Sequence, residues 1–124
     1  MSEIVDELKE FASKYPVLGK STYSSMNNAV LRENARIASR IIVTGVVSEC
    51  CVLATCFEAI ELGFHVVYLK DACSGRNEEN EAATIKILEA LSSIHVTITT
   101  TDEYLIKLKT ECWKLLVFEI YVKH

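Results

Sequence analysis

Short runs of β-branched residues alternate with helical stretches through the middle of this chain, and this alternation constrains the fold more than any other feature. Residues 40–44 and 64–69 are apolar runs of this kind, and residues 94–99 form a third. Buried parallel strands have this profile. Because the runs are separated by segments with apolar residues at helical spacing, neighbouring strands need crossover helices. The sequence predicts an open, mostly parallel α/β sheet with helices on both faces.

The element boundaries follow from local signals. We expect Ser48 to cap a helix and Gly63 to end it. Residues 17–18 are predicted to form a short strand, residues 71–77 a polar loop, and residues 117–122 either strand or helix. The predicted helices cover residues 3–13, 27–39, 48–62, 78–92 and a terminal stretch from Asp102 that carries Leu105, Leu108, Cys112, Leu115 and Leu116.

The length and charge of the chain narrow the classes of function. A chain of 124 residues favours one domain, here 1–124, and no internal repeat or linker divides it. The net charge is −4 and no basic cluster is present, so nucleic acid and anionic membranes are poor partners. The N-terminus lacks the features of a secretory signal, and no apolar run approaches the ~18–20 residues of a membrane span.

The chain contains five cysteines, an odd number without a regular framework. This count argues against a secreted disulfide scaffold and predicts reduced thiols in the cytoplasm. His65, His95 and His124 do not stand at a familiar ligand spacing from the cysteines, so no metal site is predicted.

The loop after the strand at residues 40–44 is the best candidate for chemistry. Ligands of open α/β sheets bind at the carboxyl ends of strands. A thiol of Cys50 or Cys51 would lie at a helix N-terminus, which favours thiolate, and nearby N–H groups could stabilise an oxyanion. Position alone does not choose between the two residues. It also leaves open that both are small buried hydrophobes, as many cysteines are.

Residues 42–55 resemble the signature of the isochorismatase-like cysteine hydrolases, a family that includes nicotinamidases, N-carbamoylsarcosine amidases and isochorismatases. The family pattern is an apolar strand, Gly, a small pair, Thr-Asp or similar, one variable residue, Cys-Val and a downstream Thr. On this alignment Cys51, followed by Val52, stands at the nucleophile, and Cys50 stands at the variable position.

Other segments extend the resemblance to roughly residues 3–105. Residues 19–26 resemble the family's Lys-x-x-Tyr-Ser-Ala-Phe segment, and residues 66–73 resemble its strand ending in Asp-Ala-Cys. Residues 81–83 and 100–103 also fit. Together these matches are more specific than the cysteine loop alone, whereas residues 106–124 match nothing in the family.

The resemblance implies a Rossmann-like three-layer fold and a hydrolase that attacks a small amide or related carbonyl substrate without a cofactor. Cys51 would be the nucleophile, and Lys20 would support the thiolate electrostatically. The peptide bond between Val46 and Val47 would be cis, and the backbone N–H groups of Val47 and Cys51 would form the oxyanion hole. Tyr23 is a weaker candidate for the substrate pocket.

The chain departs from the family in residues that matter for catalysis. The family's catalytic Asp lies on a first strand that has no counterpart here, and neither Asp6 nor Asp71 is a convincing substitute. The metal-binding Asp-x-His segment of nicotinamidases is likewise missing, so we expect no zinc site. Glu49 stands where an Asp is common, and Asn80 stands where many relatives have His. These departures predict impaired catalysis.

Three functional readings therefore compete. The chain is an impaired hydrolase, a non-catalytic remnant that acts as a binding or oligomerisation module, or a truncated gene product. A sheet without the family's first strands would leave apolar strand edges open, so we expect a homo-oligomer. A nucleotide-binding function is disfavoured because the glycine-rich phosphate-binding motifs are absent. The identity of the substrate cannot be predicted from the sequence.

Overall fold

The computed structural model describes residues 4–38, 40–111 and 117–122, with residues 111 and 117–122 described by their backbone. Its centre is a four-stranded sheet in the order β3-β2-β1-β4, and every pair of neighbouring strands is parallel. The strands are β1 (Arg40–Val46), β2 (His65–Ser74), β3 (Val96–Thr99) and β4 (Val117–Val122). The helices are α1 (Asp6–Ala12), α2 (Ala29–Ala35), α3 (Leu53–Glu61), α4 (Glu78–Glu89) and α5 (Thr101–Glu111).

Helices cover both faces of the sheet, as the sequence predicts. Side chains alternate along β1, so Ile41 and Val43 enter one core cluster while Ile42 enters another. The first cluster contains residues of α2, α3 and α4, among them Leu88, and the second contains Tyr104 of α5. Because both faces of β1 and β2 are buried, the β-branched runs read as continuous rather than alternating apolar sequence.

Side chains and one glycine set the helix ends. Asn28 Oδ1 accepts hydrogen bonds from the N–H groups of Val30 and Leu31 at 2.9 and 3.1 Å, which makes Asn28 the N-cap of α2. Asn77 caps α4 in the same way. Gly63 follows α3 with a φ of 92°, a conformation that glycine adopts at little cost, so its predicted role as terminator is confirmed.

Three sequence predictions are wrong. Residues 17–18 form no strand, and both side chains are exposed, so burial does not stabilise an extended segment there. Residues 71–74 continue β2 instead of opening a loop, because Cys73 and Ser74 pair with β1 beyond a register shift. Ser48 does not cap a helix: Val47 occupies the N-cap position, and the Ser48 side chain is buried.

The segment that matches nothing in the family forms the second neighbour of β1. Strand β4 pairs with β1 from Arg40 opposite Val117 to Gly45 opposite Val122. Strand β1 thus has a neighbour on each side, β2 and β4, and the described sheet ends at β3 and β4. Of the predicted helical residues, Glu3, Ser39, Cys112, Leu115 and Leu116 lie outside the described residues.

The helices of the described part are short. The longest, α4, has 12 residues, and none is long and apolar enough to cross a bilayer, which needs about 20 residues.

Candidate functional site

Cys51 lies where the chain turns from the carboxyl end of β1 into α3. A π-helical turn (Ser48–Val52) joins these two elements, and the carbonyl of Val47 accepts hydrogen bonds from the N–H groups of Cys50 and Val52 at 3.0 and 3.3 Å. Single π-helical turns are frequent at functional sites. The Cys51 side chain is only 1% exposed and belongs to the larger core cluster. A substrate that reaches this sulfur therefore has to enter the interior of the protein.

The peptide bond between Val46 and Val47 is cis, and it lies between β1 and the π-helical turn. This is the bond for which the family resemblance implies that form. Val47 and Cys51 thus occupy one continuous turn at the start of a helix. Within this turn the N–H groups of Cys50 and Val52 already donate to the carbonyl of Val47. An oxyanion hole formed by the N–H groups of Val47 and Cys51 stays a prediction.

Lys20 lies in the irregular segment between α1 and α2, where it is half-buried. Its ammonium donates to the carbonyl oxygens of Thr22 and Tyr23 at 2.7 and 3.3 Å. An ammonium has three N–H donors, so these contacts fix its position and leave one donor for another acceptor. The Tyr23 side chain is 67% exposed, so any contact with a ligand would be made from the solvent side.

Thr55 connects the Lys20 segment to the helix that follows Cys51. Its buried hydroxyl accepts a hydrogen bond from the N–H of Ser25 at 3.0 Å and donates one to the carbonyl of Cys51 at 2.7 Å. Next to Ser25, the buried side chain of Met26 packs in the same core cluster as Cys51. Thr55 is the downstream Thr of the sequence motif, but the motif alone does not reveal this bridging role.

Two other thiols, those of Cys56 and Cys73, are buried in the same cluster. Burial raises the pKa of the Cys73 thiol to about 12, and it also raises the pKa of Cys56, to which the nearby Cys73 contributes. Both groups stay protonated at neutral pH and are poor nucleophiles. These thiols are therefore structural, and Cys73 directs its hydrogen to the carbonyl of Val43 at 3.5 Å.

Tyr68 and Ser48 form a buried polar contact beside these thiols. The Tyr68 hydroxyl donates to Ser48 Oγ at 3.4 Å, and burial raises the pKa of Tyr68. The contact directs the Ser48 hydroxyl toward the next strand, and no local sequence signal at Ser48 indicates it.

The two aspartates considered from the sequence make contacts of their own. Asp6 lies on exposed α1 and forms an ion pair with Lys9 at 2.6 Å. Asp71 Oδ1 accepts hydrogen bonds from the N–H and the hydroxyl of Thr101, both at 2.9 Å, and these bonds lower the pKa of Asp71. Asp71 thus fastens β2 to the start of α5.

One carboxylate does lie close to Cys51 along the chain, that of Glu49. Its Oε1 accepts from Asn80 Nδ2 at 3.0 Å and from the N–H of Arg76 at 3.2 Å. Burial raises the pKa of Glu49, but hydrogen bonds from its own backbone, from Asn80 and from Arg76 outweigh burial and lower it. The carboxylate therefore remains ionised near neutral pH.

The described residues form no group of metal ligands, and their cavity lies away from Cys51. Within residues 4–38 and 40–110, no three His, Cys, Asp or Glu side chains are grouped as metal ligands, and the absence of a zinc site stays a prediction. A cavity of about 280 Å³ is lined by Arg32, Arg36, Leu62 and Phe64. This cavity lies past the C-terminal end of α3, whereas Cys51 precedes the N-terminal end, so the cavity is not the site predicted from the motif.

Comparison with known proteins finds isochorismatase-like relatives. A family model described as the isochorismatase domain matches residues 1–103. Nicotinamidase 3 of Arabidopsis thaliana is 34% identical over 87 residues, which are 68% of this chain and 44% of that protein. The chain spans less than half the length of the curated relatives that it matches.

Solved structures share the fold. An isochorismatase-like hydrolase from Alkaliphilus metalliredigens superposes with a TM-score of 0.66 at 23% identity, covering 86% of this chain and 57% of that one. The MAR1 ribonuclease from Caenorhabditis elegans superposes with a TM-score of 0.76 at 25% identity, covering 86% and 54%. The chain therefore has the α/β architecture of these proteins over about half of their length.

Proposed function

Because the chain belongs to the isochorismatase family, we propose that it is a cysteine hydrolase that attacks a small amide or related carbonyl through Cys51. The observation that carries this proposal is the bridge made by Thr55. Its hydroxyl joins Ser25, at the end of the Lys20 segment, to the carbonyl of Cys51. Two motifs that are 31 residues apart in the sequence are thus connected by hydrogen bonds.

The proposed reaction begins with attack of the Cys51 thiolate on the carbonyl carbon of the substrate. The positive end of the helix stabilises negative charge on the sulfur, and the N–H groups of Val47 and Cys51 stabilise the oxyanion. The C–N bond then breaks, and the nitrogen takes a proton from solvent water as the amine leaves. Water hydrolyses the resulting thioester to a carboxylic acid and restores the thiol. The ammonium of Lys20 supports the thiolate by its charge.

Proton transfer limits this reaction. The amine leaves readily only when a positioned acid supplies its proton, a contribution of typically 10²–10⁴-fold to the rate. Asp6 and Asp71 are held in other contacts. We therefore expect slow turnover by this chain alone.

The alternative function, a non-catalytic binding or oligomerisation module, is favoured by the burial of Cys51 away from the described cavity. The Cys51 side chain is 1% exposed, and the cavity near Arg32 and Phe64 lies elsewhere. A chain that keeps the fold but does not open at Cys51 would be such a remnant. Accessibility and reactivity of this thiol therefore distinguish the two functions.

The names of the relatives suggest the substrate class. Nicotinamidase 3 points to a small aromatic amide. The nematode ribonuclease suggests RNA instead, but a net charge of −4 without a basic cluster disfavours a polyanion. Homo-oligomerisation and a cytoplasmic location stay predictions.

The test is site-resolved labelling of the cysteines with iodoacetamide, a small amide-bearing reagent, read out by mass spectrometry of the peptide that contains Cys50 and Cys51. We expect Cys51 to react faster than Cys50, although Cys50 is the more exposed of the two. Lys20→Met should slow the labelling of Cys51 severalfold if the ammonium supports the thiolate by its charge, as proposed. Lys14→Met, which removes an exposed lysine at the end of α1, is the matched control.

The opposite order of reactivity would overturn the proposal. If Cys51 reacts more slowly than Cys50 in the native chain, the buried thiol is not activated. The chain is then the non-catalytic module. Equal slowing of Cys51 labelling by Lys20→Met and Lys14→Met would contradict the proposed role of Lys20.

A further inference from the structure

Glu49 reaches from the turn that carries Cys51 to the loop that follows the neighbouring strand. It is the second residue of the π-helical turn, and its side chain is 19% exposed. Glu49 Oε1 accepts hydrogen bonds from Asn80 Nδ2 and from the N–H of Arg76. The guanidinium of Arg76 lies 4.0 Å from the same oxygen, but its side chain is exposed, so this ion pair contributes little.

Gly75 lies between two carboxylates at this junction. Glu81 Oε1 accepts from the N–H of Gly75 at 2.9 Å and from Ser74 Oγ at 3.1 Å. A Cβ atom on Gly75 would come within 2.7 Å of Glu49 Oε2 and 2.9 Å of Glu81 Cγ. The loop after β2 and the turn after β1 are thus in direct contact. This contact lies at the carboxyl ends of the two strands, where the turn that carries Cys51 begins.

The geometry excludes Glu49 as the missing proton carrier. Residues two apart on a helix point to different sides, so the Glu49 and Cys51 side chains diverge. Oε1 of this carboxylate accepts two hydrogen bonds, whereas Oε2 is buried beside Gly75 without a hydrogen-bond partner. The contacts of Oε1 tie the backbone of the turn to Arg76 and Asn80.

Glu49 and Asn80 are two of the positions at which this chain departs from the family signature that it resembles. Both departures fall on one hydrogen bond of 3.0 Å, which joins residues 31 positions apart. A change in the length of either side chain therefore alters the reach of this single contact.

We propose that Glu49 is a positioning residue for Cys51: it fixes the turn that carries Cys51 by a clasp, formed by its hydrogen bonds to Arg76 in the loop at residues 75–77 and to Asn80 in the first turn of α4. This inference rests on the proposed function, since it assigns Glu49 an indirect role in the reactivity of Cys51. The clasp also fixes the turn whose N–H groups would receive the oxyanion. Substitution of either partner would let this turn shift without unfolding the domain.

The experiment exchanges the lengths of the two side chains. Glu49→Asp shortens the acid, Asn80→Gln lengthens the donor, and the double variant restores the combined reach. Two readouts are measured for each: iodoacetamide labelling of Cys51, and amide hydrogen exchange of the peptide that covers residues 48–53. Glu79→Asp, at an exposed glutamate in the first turn of α4, is the matched control.

Glu49→Asp should slow Cys51 labelling and speed hydrogen exchange by about fivefold each, the effect of losing one ordinary hydrogen bond. The double variant should return both values to within about twofold of the native chain, and Glu79→Asp should change neither. A double variant no better than Glu49→Asp overturns the inference, as does faster labelling of Cys51 in Glu49→Asp. If native Cys51 is unreactive, the proposed function fails separately, and hydrogen exchange alone decides whether the clasp exists.

Discussion

The hydroxyl of Thr55 accepts a hydrogen bond at 3.0 Å from the backbone N–H of Ser25, a residue 30 positions earlier in the chain. Both groups are buried, so water cannot replace either partner. The same hydroxyl donates to the carbonyl of Cys51. One small side chain therefore controls the distance between the Lys20 segment and the cysteine turn.

Thr55→Val removes this hydroxyl at nearly constant volume. We expect the free energy of unfolding to fall by about 1–3 kcal/mol, because the N–H of Ser25 is left buried without an acceptor. Urea denaturation measures the change. Thr110→Val is the control, since its hydroxyl is exposed and donates to the carbonyl of Lys107. Equal losses in the two variants would show that the bridge does not stabilise the site.

The lowered pKa of His65 should make the stability of the chain depend on pH. Burial lowers its pKa below 6.5, and the charges of Arg40 and Lys107 add to the effect, while its hydrogen bond to the carbonyl of Ile94 opposes it. The unfolded chain therefore binds a proton at His65 more readily than the folded chain does. Its contribution to stability is present above the unfolded pKa and is lost as pH falls through the folded pKa.

We expect the free energy of unfolding to decrease between about pH 7 and pH 5, and His65→Gln to make this slope shallower. Denaturant midpoints measured at several pH values check the prediction. His95→Gln removes one of the smaller charge contributions to the lowered pKa of His65, so it should change the slope less than His65→Gln does. An unchanged slope in His65→Gln would assign the pH dependence to other groups.

Gly75→Ala tests the packing between the two loops at the site. The new methyl group would meet Glu49 Oε2 at 2.7 Å and Glu81 Cγ at 2.9 Å, so we expect a loss of about 1–3 kcal/mol from overpacking. Glu49→Ala should relieve part of the clash. Gly75→Ala should therefore cost less stability in that background, and a cost that is the same in both backgrounds would contradict the contact.

The strands and helix ends that can be predicted from the sequence are those with local signals. The runs around Ile42 and Val67 are buried on both faces, so their β-branched composition predicts strands directly. Gly63 marks the end of α3 by its conformational freedom alone. The position of Cys51 follows from the order of strand, loop and helix, and its proposed role follows from the motif.

The features that could not be predicted depend on contacts between distant residues. Ser48 is polar and precedes a helix, as an N-cap would, but Tyr68 from the next strand occupies its hydroxyl. Glu49 and Asn80 are 31 residues apart, and neither residue signals the other. The apolar run of β4 fits strand or helix equally well, because only its pairing with β1 decides between them.

That pairing has a consequence for how the chain folds during synthesis. Strand β1 begins at residue 40 and β4 ends at residue 122, so the two can pair along their full length only after residue 122 has been made. Contacts between residues so far apart in sequence form slowly, since a long loop must close first. The strand that leads to Cys51 therefore gains its neighbour β4 after both β2 and β3 have been made.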